Sequence, residues 1–247
     1  MDALLLAAGR GARLSPITDS IPKCLVPIMG RPLLDYWISK LGQADEINRI
    51  FINIHYFREQ VEDFIKKSQY KEKIILVSEK ELLGTGGTLA KLIKSEGPCR
   101  KALFVAHADN FSAFSVQEFL AHHAKRPTRC QSTVMTFRTD NPQSCGILEV
   151  DAEGVVLAIH EKIINPPGDL ANAAVFLFEP DILDEIALLA EQIPGNTSDG
   201  IFDLSRDFLP CLTGRLYTFL NTRYHRDIGS PESLRIAQSD APRLVMQ

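Results

Sequence analysis

The run Leu6-Ala7-Ala8-Gly9-Arg10-Gly11-Ala12-Arg13-Leu14-Ser15-Pro16 closes the apolar stretch 3–8 and governs how the whole chain is read. Six apolar residues in a row, ended by two glycines, have the length and texture of a strand buried on both faces. Glycines at the carboxyl end of such a strand let the backbone approach a ligand closely and turn its N–H groups toward anionic oxygen. Leu14 stands where the dinucleotide fingerprint needs its third glycine, and no Gly-Lys-Ser/Thr follows, so neither that motif nor a P-loop is present. Arg13 follows the glycines instead, and Lys23 lies ten residues on, in Pro22-Lys23-Cys24-Leu25-Val26-Pro27. A guanidinium and an ammonium beside a glycine turn suit a triphosphate. The same residues also read as an ordinary strand-to-helix turn with surface basic side chains.

Outward from this run, strand and helix patterns alternate. Residues 33–41 have helical apolar spacing, 49–55 read as a strand, and 59–67 form an amphipathic helix with Val61, Phe64 and Ile65 on one face. A strand at 73–78, a helix at 88–95 and a strand at 102–107 continue the cadence, which argues for parallel βαβ units in a doubly wound sheet. After Phe114 the texture changes. Strands are expected at 131–138, 146–150, 154–160 and 174–178 with little helix between them, and Asp151-Ala152-Glu153-Gly154 reads as a hairpin turn. Helices at 181–192 and 201–209, a strand at 215–220 and a helix from Glu232 complete the chain. One domain over 1–247 is expected, with a parallel nucleotide-type lobe in 1–114 and a smaller mixed α+β lobe in 115–247.

Composition narrows the function classes. The 247 residues carry 27 basic and 31 acidic side chains, a net charge of −4, so a uniformly basic nucleic-acid surface is not expected. Hydrophobic residues at 45% exclude wholesale disorder. The early apolar run is too short to span a bilayer and lacks the basic flank of a signal peptide, so no membrane partner is expected. Cys24, Cys99, Cys130, Cys145 and Cys211 have neither C-x-x-C nor Cys/His zinc spacing and read as free thiols of a cytoplasmic protein.

The segment Leu-Ala-Ala-Gly-x-Gly-x-Arg-Leu-x-Pro, followed by Pro-Lys-x-Leu-Val-Pro-Ile-x-Gly-x-Pro-Leu-Leu, resembles the signature of the sugar-1-phosphate nucleotidylyltransferases. Later segments extend the resemblance over nearly the whole chain. They are Leu83-Gly84-Thr85-Gly86-Gly87-Thr88-Leu89, Ala108-Asp109-Asn110, Glu161-Lys162, Asn172-Ala173-Ala174-Val175 and Arg226-Asp227-Ile228-Gly229-Ser230-Pro231-Glu232. Glu79-Lys-Glu-Leu-Leu-Gly-Thr-Gly-Gly87 is most similar to the heptose-1-phosphate and mannose-1-phosphate guanylyltransferases.

This resemblance implies a Rossmann-like, doubly wound mixed sheet of the glycosyltransferase-A-like type. It implies transfer of GMP from GTP to a sugar 1-phosphate, releasing pyrophosphate, in the supply of cell-surface polysaccharide precursors. The alternatives are uridylyl, cytidylyl or thymidylyl transfer to another hexose 1-phosphate, and a catalytically weak nucleotide-sugar-binding regulatory module. Action on a non-sugar phosphate such as phosphocholine is disfavoured by Glu161-Lys162 and Asn172. The implied cofactor is Mg²⁺, with Mn²⁺ as the alternative, held by Asp109 and Asp227. Arg13 would meet the β/γ-phosphates and Lys23 the α-phosphate. Leu6, Ala7, Ala8, Gly9 and Gly11 would carry the nucleotide, with Gly84, Gly86 and Gly87 as a facing backbone wall. Glu79 and Glu81 become candidates for reading guanine. Lys162 would hold the sugar phosphate, while Gly146, Glu161, Asn172 and Asp227 would serve the sugar. A homo-oligomer is compatible with all of this.

Three positions depart from the pattern. Ala108 and Ala174 replace glycines, and Thr88 stands where alanine is common, each adding bulk near the expected pocket. With 20 residues after Asp227, no left-handed β-helix acyltransferase domain is expected in this chain. His122-His123 is expected at the solvated surface, His107 as a satisfied core histidine, and Trp37 in the core.

Overall fold

The computed structural model describes residues 1–97, 101–192 and 200–245. Its first half runs β1 (Asp2–Leu6), β2 (Pro27–Ile28), β3 (Arg31–Pro32), α1 (Leu33–Gly42), β4 (Ile50–Ile54), α2 (Arg58–Lys66), β5 (Ile74–Ser78), α3 (Gly84–Glu96), β6 (Leu103–His107), β7 (Asn110–Ala113) and α4 (Val116–His123). There follow β8 (Ser132–Arg138), β9 (Gly146–Val150), β10 (Val156–Glu161), β11 (Leu170–Phe178), α5 (Pro180–Gln192), β12 (Leu216–Leu220), β13 (Tyr224–Asp227) and α6 (Pro231–Val245). The class is α/β with mixed pairing, as expected. Two compact units result. The first comprises Met1–Leu82, Ala106–Val116 and Arg223–Gln247; the second comprises Leu83–Val105 and Gln117–Thr222.

In the first unit β1 runs parallel to β4, and β4 parallel to β5. All five residues of β4 are buried, and so are Ala3 to Leu6 of β1, which explains their unbroken apolar texture. Helix α1 buries Leu33, Leu34, Trp37, Ile38 and Leu41, spaced to fall on one face. Trp37 is core, as expected, and its indole Nε1 donates to the Asn110 carbonyl at 2.8 Å. Leu234, Ala237 and Ala241 of α6 pack with Leu14, Val26, Ile28, Leu33, Phe111 and Ile228. This cluster joins the segments that carry Arg13, Lys23 and Asp227, so one patch of buried apolar area fixes three candidate site segments.

In the second unit β11 runs antiparallel to β8 and to β9, β8 runs parallel to β12, and β9 and β10 form an antiparallel hairpin. The expected turn at Asp151 is present. Its Oδ1 accepts the N–H groups of Glu153 and Val155, both at 2.9 Å.

Several local readings are corrected. Helix α3 starts at Gly84, so the glycine stretch is its first turn rather than a loop. The helix expected at 201–209 is a π turn at Leu204–Phe208 followed by a 3₁₀ turn at Leu209–Leu212. His123 is buried, with Nδ1 at 2.7 Å from Thr133 Oγ1 and Nε2 at 3.0 Å from Glu179. His122 stacks on Tyr217 with centroids 4.7 Å apart, so neither histidine is a solvated surface residue. Strands β7 and β13 were not foreseen, because four-residue strands are stabilised by their partners rather than by local pattern. Cys24 and Cys130 are buried, Cys145 is half-buried and Cys211 exposed; Cys99 lies outside the described residues. No helix among the described residues is long and apolar enough to cross a membrane.

Candidate active site

The first cluster of candidate residues is built within the first unit. Gly9 and Gly11 serve different purposes. A Cβ at Gly9 would meet nothing within 4 Å, so its backbone faces open space that a phosphate can approach. Gly11 has φ +66°, and a Cβ there would lie 2.9 Å from Lys23 Cβ; only glycine fits this left-handed turn against the lysine stem. Thr18 Oγ1 donates to the Gly11 carbonyl at 2.8 Å and holds the turn closed. Leu6, Ala7, Gly9, Lys23, Cys24 and Asp109 line a small cleft at this point. Burial pushes the Cys24 thiol up to about 12, so it lines the cleft as a neutral group.

The Lys23 side chain is 8% exposed, and its Nζ lies 2.5 Å from Asp109 Oδ2 and 3.4 Å from Asp227 Oδ1. Two aspartates 118 positions apart in sequence therefore share one ammonium. The pairing arises from the β7–β13 ladder, in which Asp227 faces Asn110, the residue after Asp109. Ile228 N–H donates to the Asp109 carbonyl at 3.1 Å and continues the connection. Burial by itself would depress the Lys23 pKa, but Asp109 and Asp227 outweigh it and hold the ammonium above its ordinary value. Burial would likewise raise the Asp109 carboxyl, while Lys23 and then His107 hold it below the usual carboxylate range. Lys23 is thus a fixed positive charge at neutral pH and no general base.

Arg13 is 77% exposed at its side chain, with Nη2 at 3.8 Å from Asp227 Oδ2. Its place on the 3₁₀ turn Ala12–Leu14 is anchored by fully buried Leu14. His107 is not the satisfied core histidine expected: it is half-buried, and its Nε2 is buried with no hydrogen-bond partner. Burial drives the neighbouring His225 imidazole down to about 3, keeping it neutral beside Asp109.

Of the two glutamates considered for the base, Glu79 is buried and Glu81 exposed. Glu79 Oε1 accepts from Asn53 Nδ2 at 3.0 Å, and Asn53 Oδ1 accepts the Ala7 N–H at 2.6 Å. Asn53 was missed. The signal was present as a lone amide in the apolar strand Ile-Phe-Ile-Asn-Ile, since a buried polar group demands partners.

Gly84, Gly86 and Gly87, expected as a facing backbone wall, lie in the second unit. The N–H groups of Gly86 and Gly87 donate to the Phe202 carbonyl, at 2.9 and 3.3 Å. A Cβ on Gly86 would lie 2.7 Å from the Phe202 ring, so this glycine is required for packing. Asp203 extends the contact through Thr85 Oγ1, which donates to its Oδ2 at 3.1 Å. Ala108 and Thr88, two of the three departures, are buried.

The second unit does bring Gly146, Glu161 and Asn172 together. Gly146 faces Glu161 across the β9–β10 hairpin, and a Cβ on it would lie 2.5 Å from Glu161 Oε2. Asn172 lies within β11, and its Oδ1 accepts the Ala174 N–H at 2.8 Å. Lys162 has φ +51°, and its Nζ is 3.1 Å from Glu161 Oε1. Such left-handed backbone at a non-glycine residue stores strain.

Ala174 is strained in the same way, with φ +52°. A left-handed alanine costs about 1–2 kcal/mol, part of which glycine loses again through its freer unfolded chain. Ala174→Gly is therefore expected to stabilise the protein by about 0.5–1 kcal/mol, raising the melting temperature by about 1–4 °C. A thermal melt that falls would show that the alanine methyl contributes packing worth more than the strain.

A family model described as Nucleotidyl transferase matches residues 2–243. The mannose-1-phosphate guanylyltransferase of Mycobacterium tuberculosis is 30% identical over 251 residues, covering 98% of this chain and 65% of that protein. Mannose-1-phosphate guanylyltransferase 1 of Arabidopsis thaliana is 29% identical over 242 residues, covering 94% and 62%. The chain thus spans less than two thirds of these curated relatives. Among solved structures, HddC from Yersinia pseudotuberculosis, complexed with GMP-PN, superposes with a TM-score of 0.73 at 25% identity, covering 97% of this chain and 99% of that one. A Bacillus anthracis structure in complex with sucrose shares the fold with a TM-score of 0.82 at 19% identity, covering 98% and 95%.

Proposed function

Because the chain belongs to the nucleotidyl transferase family, we propose that it transfers GMP from GTP to a hexose or heptose 1-phosphate. The observation that carries this reading is the Lys23 ammonium shared by Asp109 and Asp227 beside the open backbone of Gly9. The mannose-1-phosphate guanylyltransferase names of the Mycobacterium tuberculosis and Arabidopsis thaliana relatives support the guanylyl and sugar-phosphate parts.

In the reaction a sugar-phosphate oxygen attacks the α-phosphorus of GTP. The new P–O bond forms as the bond to the β-phosphate oxygen breaks, and pyrophosphate leaves. The nucleophile is already an anion, so the residues need only bring two polyanions together and stabilise charge on the leaving group. Arg13, exposed and forked, would hold the β- and γ-phosphates, and Lys23 would meet the α-phosphate as charge develops. Unit-two residues would take the sugar 1-phosphate: Lys162 its phosphate, and Glu161 and the Asn172 amide its hydroxyls. The division into a nucleotide lobe and a sugar lobe within one domain is part of this proposal.

Asp109 and Asp227 fit a divalent cation of the Mg²⁺ kind. Both carboxylates reach one positive group, and Mg²⁺ takes one or two carboxylates and keeps waters. Among the described residues no group of three or more His, Cys, Asp or Glu side chains could hold a metal, which disfavours a zinc-type site there. When bound, Mg²⁺ would supply charge neutralisation at phosphate oxygens; Mn²⁺ has the same oxygen preference.

A matrix of nucleoside triphosphates against sugar 1-phosphates, read by pyrophosphate release, tests the reading. GTP is expected to exceed ATP by at least ~10²-fold in kcat/KM, with inosine triphosphate between them, because a site built for a donor penalises analogues lacking it. Guanine offers adjacent donors at N1 and N2, which the Glu79 carboxylate would accept in parallel. Preference for UTP, CTP or dTTP would overturn the guanylyl assignment. No release with any pair would replace the enzyme by a binding module.

A further inference from the structure

Asn53 sits in β4 opposite Leu6 of β1 and Val77 of β5, and is 4% exposed. Its two amide atoms make different bonds. Oδ1 accepts the N–H of Ala7, in the segment that opens the glycine turn, and Nδ2 donates to Glu79 Oε1. A reversed amide would set NH₂ against N–H and oxygen against carboxylate, so the two neighbours dictate one orientation. Glu79 is anchored through its backbone as well. Its N–H donates to the Ile54 carbonyl at 3.0 Å, and the His55 Nδ1–H donates to its carbonyl at 3.0 Å. Its side chain takes its bearing from Asn53.

Nothing in the stability of an apolar strand calls for an amide here, since a buried amide costs free energy unless fully bonded. What the amide achieves is a rigid relation between a backbone N–H of the nucleotide turn and a buried carboxylate. Parallel recognition of two donors tolerates only about 10–20° of misorientation, so a carboxylate reading them needs such support.

We propose that Asn53 is the positioning residue for base selectivity, holding the Glu79 carboxylate in register with the Ala7 amide so that it accepts the guanine exocyclic amino group. The proposal rests on the reading of Glu79 as the base-facing carboxylate. Asn53 touches no substrate and acts through Glu79.

The test is the ratio of kcat/KM for GTP to that for inosine triphosphate, measured with Mg²⁺ at about pH 6 and about pH 8.5. The wild type is expected to favour GTP by ~10-fold or more at both, the worth of one hydrogen bond to a charged acceptor. Asn53→Asp keeps the acceptor for Ala7 but turns a second carboxylate oxygen toward Glu79. Its ratio is expected within ~3-fold of one at about pH 8.5, recovering at about pH 6, where the carboxyl pair shares a proton that replaces the lost donor. Asn53→Ala, which adds no charge and serves if the aspartate variant does not fold, should lose the preference at both pH values. A merely structural role would lower both substrates alike and leave the ratio unchanged. Variants that melt cooperatively and keep the wild-type ratio would overturn the proposal alone. A wild type that uses both nucleotides equally would overturn the Glu79 reading, and this proposal with it.

Discussion

Asp109→Asn and Asp227→Asn are each expected to lower turnover by at least ~10²-fold while the fold survives. The amide keeps the size of each side chain but removes a hard anionic oxygen, and with it one of the two carboxylates able to hold a divalent cation. Asp109 should show the larger effect. Its carboxylate is the closer partner of the buried Lys23 ammonium and the less exposed of the two, 31% against 53% at the side chain. Loss of that contact will also lower the melting temperature, by about 2–4 °C for each kcal/mol in a chain of this size. Turnover at limiting Mg²⁺ and thermal melting should be measured on the same preparations. Near-normal turnover in both variants would remove the metal assignment, whereas loss of the cooperative melt would show that the aspartates chiefly neutralise Lys23.

Arg13→Ala is expected to lower kcat and kcat/KM together by about 10²–10³-fold, the usual cost of removing one strong electrostatic contact to a leaving group. Arg13 contributes little to the fold. Its side chain is largely exposed, and its ion pair with Asp227 is long at 3.8 Å. The melt should therefore hardly move, separating this variant from the aspartate pair. Arg13→Lys should recover little, because an ammonium cannot reproduce the guanidinium fork. A rise in KM for GTP with kcat unchanged would mean that Arg13 binds the triphosphate equally in ground and transition states, and its role would have to be rewritten.

The difference between these two sites is also a difference in legibility. Arg13 belongs to a short contiguous run, in which apolar residues, glycines and a cation follow one another in the order that a strand, a turn and an anion contact require. The parallel pairing of β1 and β4 was legible for a similar reason, since strands buried on both faces must be apolar throughout. So were α1 and the Asp151 hairpin, each carried by spacing within about ten residues. The glycines at 84–87 show what such a local reading leaves out. Phe202, more than 100 positions away, takes the amides of Gly86 and Gly87, so a glycine-rich turn is spent on packing in this structure.

The residues themselves dictated the α/β class, the first glycine turn, and Arg13 and Lys23 as candidates for charge chemistry, while the family resemblance added Asp109 and Asp227. Long-range pairing supplied the rest. The four-residue strand β13 has no pattern of its own, yet its register against β7 carries Asp227 to the ammonium that Asp109 already holds. Glu79 and Glu81 are chemically identical in sequence, yet Glu79 is buried and bonded to Asn53 in a neighbouring strand while Glu81 faces solvent. Periodicity reports the face on which a side chain lies, because that depends on its own strand or helix. Which distant group it meets depends on contacts between elements, and these are absent from any local window of sequence.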